Sequence, residues 1–445
     1  MKIIKYNYRF CILIVFIGIF NCSSDESTEK TTPLFGVKVL GGSLNDSAQA
    51  ITSTIDGGYA VLGFSQSDDG DVTSKQNKTF DYWLLKFDSN NALSWQKTYG
   101  GSGDDRGNDI IQTNDNGYII FGQSSSSDGN ITNNAGSLDF WLSKIDSSGN
   151  IIWNNSFGFS GVDNGISLIE TKDNGYLLTG VLDVTASGGE GNSKFSTSKR
   201  HAGGDYWAIK LNSNGDKQWS KFYGGTFTDT PNDVIQTTDN GYLIIGSSDS
   251  NDVDISDNKG SYDMWIIKIS ETGNLLWEKS FGGSEIDEAY NITSTNDGNY
   301  LIVGNTRSSD NDVSFNNGAA DLWMIKISET GNMLWEKTLG GNNFDSGSAV
   351  SKTQDGGFIL SGNSRSLNGN LIENKSQNDA WLIKIDANAN IEWQKTIGGT
   401  EIDFANDITQ LNDGTYVAVG ETSSSNEDIT ENKGFADLLI ITINE

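Results

Sequence analysis

The chain has 445 residues, among them 52 Gly, 2 Pro, 12 Trp, 14 Tyr and 20 Phe, a composition that suits many short strands joined by tight turns and offers no helical heptads. Its formal charge of -29 at pH 7 argues against nucleic acid as a partner, because phosphate binding needs clustered Lys and Arg. Cations and basic surfaces are the electrostatic partners such a charge favours, beside its plain contribution to solubility.

At the start of the chain, Lys2, Lys5 and Arg9 precede an apolar run over 11–20, and Cys22 follows. A basic n-region and an apolar stretch too short to span a bilayer read as an export signal. The position of Cys22 resembles that of the lipidated cysteine of bacterial lipoprotein signals. The resemblance implies that residues 1–21 are removed and that Cys22 carries the lipid that holds the protein to the membrane. Cys11 then leaves with the signal, so the mature chain has no thiol for a disulfide, redox chemistry or metal. Residues 22–34 are polar and charged, a flexible tether. Its start, Ser23-Ser24-Asp25-Glu26, is similar to the acidic export signals of some Gram-negative surface lipoproteins, which implies an outer-membrane, surface-exposed location.

Residues 35–445 are a repeat. An Asp two residues before a Trp, with Lys three further on, recurs at Asp81, Asp139, Asp205, Asp263, Asp321 and Asp379, and in a degenerate copy at Asp437. Five intervals are of 58 residues and one is of 66. Each unit holds four candidate strands. In the second they are 93–99, 109–113, 117–124 and 139–145. Strands two and three meet across turns such as Asp56-Gly57-Gly58, Asp173-Asn174-Gly175 and Asp355-Gly356-Gly357, whose residues tolerate positive φ. Seven units of four antiparallel strands predict an all-β fold, a seven-bladed β-propeller. The chain begins at 35–42 with a strand one that lacks a strand four, and ends at 437–444 with a strand four that lacks a strand one. Pairing the two closes the ring and removes every open edge, whereas a linear solenoid leaves both unpaired.

The twelve Trp occupy two positions of the repeat. Trp83, Trp141, Trp207, Trp265, Trp323 and Trp381 lie in strand four, and Trp95, Trp153, Trp219, Trp277, Trp335 and Trp393 in strand one. Identical placement in six units points to packing between blades. The hairpin Lys268-Ile269-Ser270-Glu271-Thr272-Gly273-Asn274-Leu275-Leu276-Trp277 resembles the tryptophan-docking segment of quinoprotein propellers, without their cofactor residues. The whole unit, with its Asp-Gly-Gly-Tyr and Asp-Tyr-Trp words, is similar to the repeats of Gram-negative surface lipoproteins, a resemblance that implies a propeller and a cell-surface location but no chemistry.

Two Asp series recur in every unit: Asp46, Asp105, Asp163, Asp229, Asp287, Asp345 and Asp403 before strand two, and the seven that open strand four. Both fall on the same face of a propeller, which is expected to be acidic. Each Asp either caps its own turn or joins a ring of oxygen ligands for calcium. The loop before strand four adds Asp-x-Asp/Asn words at Asp69 with Asp71, Asp128 with Asn130, Asp252 with Asp254 and Asp310 with Asp312. These are candidates for structural calcium, though they lack the Gly and Glu of an EF-hand loop. No other cofactor is expected. The third unit departs from the pattern. Its longer loop over 182–204 carries Glu190, Lys194, Lys199, Arg200 and His201, the only His, and is the candidate contact for a partner.

The sequence therefore predicts an exported, lipid-anchored monomeric propeller that binds or scaffolds a surface protein or glycan. The alternative is a carboxylate-dependent polysaccharide hydrolase.

Overall fold

The computed structural model describes Met1 and residues 33–75, 77–184, 201–371, 373–375 and 377–445. The export signal, Cys22 and most of the tether lie outside the described residues. The described residues form 28 strands, numbered β1 to β28 in chain order, in seven four-stranded antiparallel sheets. The fold is a seven-bladed β-propeller. The first complete blade is typical: β2 (Asp46–Ser53), β3 (Tyr59–Ser65), β4 (Asp81–Phe87) and β5 (Leu93–Tyr99) lie side by side in that order. The first strand of every blade packs on those of its two neighbours, and the circle closes where Asp403–Gln410 meets β2. The closing blade is completed by β1 (Leu34–Leu40), which pairs antiparallel with β28 (Asp437–Asn444), Leu34 opposite Asn444 and Leu40 opposite Leu438.

Burial explains the strand sequences. The two middle strands of a blade are covered on both faces, so β4 is buried at every position and runs apolar from Tyr82 to Leu85, between Asp81 and Lys86. Strand-four Trp residues are at most 2% exposed and fill the space between blades. Trp141 stacks on Tyr82 of the preceding blade with centroids 4.6 Å apart, and Trp265 on Tyr206 at 4.6 Å. Strand-one Trp residues are half-buried and reach the next blade. Trp95 lies 6.2 Å from Tyr118, and Trp393 lies 6.0 Å from Tyr416. Four of the six also lean on a hairpin glycine of the next blade. A Cβ on Gly273, which sits at φ +74°, would fall 2.9 Å from the Trp219 ring, so Gly is required both by conformation and by space.

The turns between second and third strand take left-handed residues in all seven blades: Gly57, Asn116, Asn174, Asn240, Gly298, Gly356 and Gly414. The Asp just before each of these in six blades is locked from the neighbouring hairpin by the Lys of the repeated word. Lys86 lies 2.9 Å from Asp56, Lys268 2.6 Å from Asp239 and Lys384 2.8 Å from Asp355. The inner strand departs from the sequence reading. In the second blade it runs from Asp105 to Gln112 rather than over 109–113, because a bulge between Gly107 and Asp109 breaks the alternation by which a strand is recognised.

Deleting residues 35–42 removes β1 and leaves β28 as an open edge. The deletion variant is expected to lose its cooperative melting transition and aggregate; a variant that melts like the intact chain contradicts ring closure.

Candidate functional site

The recurring Asp residues do not make an acidic face. All fourteen are at most 6% exposed, and they meet in pairs at the seven seams between blades. At the last seam, Asp46 accepts from the Gly42 N–H at 2.7 Å and from the hydroxyls of Ser65 and Ser67. The same pattern of one backbone N–H and two hydroxyls serves Asp105, Asp229, Asp287, Asp345 and Asp403. Its partner at the seam, Asp437, uses one oxygen to accept from the Lys433 N–H, while the other meets no donor; that second oxygen is buried and unsatisfied in all seven strand-four Asp residues. A Cβ on Gly41 would lie 2.1 Å from this Asp437 oxygen and 2.9 Å from Asp46. The first Gly of the Gly-Gly pair is thus needed for the carboxylates to close on one another.

Burial pushes the seven strand-four acids up. Asp263 rises to about 7 and Asp437 to about 6, with repulsion from Asp287 and Asp46 respectively behind it. The Asp-x-Asp words buttress the same seams. Asp69 accepts from Ser43 N–H at 2.7 Å and Asp71 from Gly41 N–H at 3.0 Å; Asp128 and Asn130 serve Ser102 and Gly100; Asp252 serves Thr226; Asp310 and Asp312 serve Ser284 and Gly282. Asp254 is buried, and its N–H donates to Gly224 O at 3.2 Å. Among the described residues, no three His, Cys, Asp or Glu come together in a way that would hold a metal ion.

The second Asx of each word is matched to the residue four before the strand-four Asp. Where that residue is Lys, the Asx is Asp, and the two pair: Lys259 with Asp312 at 3.2 Å, Lys433 with Asp71 at 2.5 Å, and Lys375 with Asp428. Where it is Asn, at Asn77 and Asn317, the Asx is Asn130 or Asn370. In the third blade the residue is His201. Its Nδ1 bonds Asp205, its ring meets Phe222 edge-on at 4.9 Å, and its side chain is only 7% exposed. His201 therefore packs into the seam. Glu190, Lys194, Lys199 and Arg200 lie outside the described residues.

What varies from blade to blade lies on the axis. Each inner strand has its bulge three residues after the recurring Asp, at Gln49, Asn108, Ile166, Asn232, Tyr290, Ser348 or Asn406, and these residues line the channel. The next position carries Asp109, Asp233 and Asp407. Their oxygens accept backbone N–H groups of a following blade: Leu168 at 2.7 Å, Ile292 at 3.0 Å and Ile51 at 2.8 Å. Burial raises Asp109 and Asp407 to about 7 and Asp233 to about 6. This narrow section has a volume of about 350 Å³.

Above it the channel widens to a mouth of about 660 Å³, on the seam face, since its residues Phe344 and Asn378 immediately precede Asp345 and Asp379. Aromatic rings come from Phe64, Tyr290, Phe344 and Phe404, amides from Gln49, Asn363, Asn378 and Asn406, and a carboxylate from Glu421. The amides are held in place. Asn406 donates to Ala48 O at 2.8 Å, Gln49 to Ser47 Oγ at 2.8 Å, and Arg365 donates to Asn378 Oδ1 at 2.6 Å. Tyr290 donates to Glu288 at 2.9 Å. Sequence reasoning missed this set because the bulge hides which residues face the axis.

A group whose pKa is raised on folding binds more protons in the folded state, so stability falls as pH climbs from the unfolded value near 4 to the folded one. The seam and channel acids therefore predict a melting temperature that declines between pH 4.5 and 7.5. Asp263→Asn supplies the missing donor and removes the repulsion, raising the melting temperature by about 2 °C at pH 7.5 and not at pH 4.5. A flat pH profile, or equal effects at both pH values, contradicts the seam assignment. With the Asp-x-Asp oxygens engaged by N–H groups, millimolar Ca²⁺ and Mg²⁺ at matched ionic strength should give melting temperatures within about 2 °C of each other. A calcium-specific rise above about 5 °C, lost in Asp254→Ala/Asp312→Ala, would instead establish metal sites.

No family model matches the chain, and no curated protein matches its sequence. Solved structures share its shape. It is similar to the WD40 domain of Neurospora crassa Pan2 at 9% identity, over 91% of this chain and 95% of that one, with a TM-score of 0.48. It is also similar to the PQQ-bound aldose sugar dehydrogenase of Streptomyces coelicolor at 10% identity, over 92% and 99%, with a TM-score of 0.39. A β-xylosidase/α-arabinofuranosidase from a compost microbial metagenome follows at 12% identity, over 62% and 90%, with a TM-score of 0.33. Such neighbours include enzymes and non-enzymes, and at these identities the likeness concerns the propeller fold alone.

Proposed function

We propose that this chain is a binding module of the cell surface, exported and lipid-anchored through Cys22, whose ligand site is the mouth of the axial channel. One observation carries the reading. Positions that build the seams repeat in nearly every blade, while the positions around the mouth vary among the blades and converge on one cavity. The residue before the recurring Asp is Asn45, Asp104, Val162, Thr228, Ile286, Phe344 or Ile402, and the residue after it includes Arg106, Glu288 and Phe404. A frame does not need such variety; a recognition surface does.

The hydrolase reading fits less well. Glycoside hydrolysis uses two carboxyl groups flanking the scissile bond. Among the described residues Glu421 is the only carboxylate lining the mouth, and Asp109, Asp233 and Asp407 spend their oxygens on backbone N–H groups.

A photo-crosslinker such as benzoylphenylalanine in place of Phe404, irradiated on intact cells, is expected to form an adduct that the same group in place of the outer-edge residue Leu276 does not. Equal labelling from both positions contradicts the site, and a product released with turnover favours the hydrolase. Cys22→Ala is expected to release the protein from the membrane; continued retention rules out the lipid anchor.

A further inference from the structure

Resting on the reading of the channel mouth as the binding site, we infer that it takes the end of an uncharged glycan. Three features of the mouth lead there. Its volume, about 660 Å³, is that of a site for a small molecule or a chain end. A protein partner would need a face of roughly 800 Å² on each side, and this cavity offers a recess in place of a face.

The lining has the chemistry of hydroxyl recognition. A sugar hydroxyl donates one hydrogen bond and accepts others, and a carboxamide offers both a donor and an acceptor side by side. Asn363 and Asn378 bring such groups to the wall beside Ser346 and Ser348. The rings of Phe344 and Phe404 supply the apolar surface that the C–H face of a pyranose covers. Amides tied to the neighbouring strand and a Tyr290 hydroxyl committed to Glu288 hold their rotamers before the ligand arrives, which lowers the ordering cost of binding.

Charge selects among glycans. An acidic sugar gains affinity from charge-assisted bonds to Arg or Lys, and among the described residues neither type lines the mouth. The guanidinium groups next to the lining are already engaged with it: Arg106 lies over the rings of Phe64 and Phe80 at 5.1 and 4.1 Å, Arg307 over Phe344 at 6.0 Å, and Arg365 binds Asn378. Glu421 at the wall presents negative charge to whatever enters.

Calorimetry on the purified full-length chain tests this with three probe sets: uncharged oligosaccharides of two to six residues (β-glucan, α-glucan, xylan and mannan series), matched uronic-acid oligosaccharides, and a random-sequence peptide pool. At least one uncharged series is expected to bind, with uronic-acid counterparts at least tenfold weaker. Phe404→Ala should weaken binding at least tenfold with an unchanged melting temperature, and Phe404→Tyr should restore it. Glycan binding that survives in Phe404→Ala overturns the mouth as the site while keeping the ligand class. Uronic acids or peptides bound at least as well, in a Phe404-dependent way, overturn the ligand class while keeping the site. Binding of none of the three overturns both.

Discussion

The structure depends on the buried carboxylate pair at each blade seam. At each seam an Asp of the inner-strand series and an Asp that opens a strand four are brought together, in six of the seven against one glycine Cα, where water is excluded. Buried carboxylates are tolerated only when they are hydrogen-bonded, neutralised or protonated. The chain meets this by giving the inner Asp three donors in most seams and the outer Asp one, and by matching the charge of the buttressing Asx to Lys259, Lys375 or Lys433, or to Asn. The Gly-Gly words, the Ser-x-Ser words at the ends of the third strands and the Asp-x-Asp words all serve this one junction. That is why they keep the same spacing through the repeat.

Packing carries what the seams orient. Six of the seven blades bury one Trp between blades and turn a second toward the next blade, in four cases over its hairpin glycine. Adjacent blades are therefore joined at the rim by aromatic contact, at the seam face by carboxylates, and at the axis by Asp109, Asp233, Asp407 and Asn291 reaching the backbone of a neighbour. With the joints held at these constant positions, the residues at the channel mouth are free to vary among the blades.

Much of this was legible in the sequence. The repeated Asp, Trp and Lys give the blades, the complementary half-blades at 35–42 and 437–444 give closure, and Asn or Gly after Asp gives the hairpins, because each reports a local rule of backbone conformation. The recurring Asp residues were harder to read. Sequence places them on one face but does not say that the Gly-Gly loops fold over them, so an exposed acidic ring was expected where a buried one exists. The sequence places His201 in the long third-unit loop but does not show that its ring packs into the seam against Asp205 and Phe222. The channel set was missed since a bulge shifts the period of the inner strand by one. A signal was present nonetheless: Gln49, Asn108, Tyr290 and Asn406 are polar or aromatic residues that break the likeness of units otherwise nearly identical.

The central claim, that matched charges at the seams hold the ring, is tested most directly by a double-mutant cycle on Lys259 and Asp312. Lys259→Asn alone leaves Asp312 without its cation, and Asp312→Asn alone leaves Lys259 only the exposed carboxylate of Asp257, so each single change should lower the melting temperature. Together they recreate the arrangement that Asn317 and Asn370 already form one blade further on, and the double variant should recover most of the loss. Losses that simply add in the double variant would contradict the account.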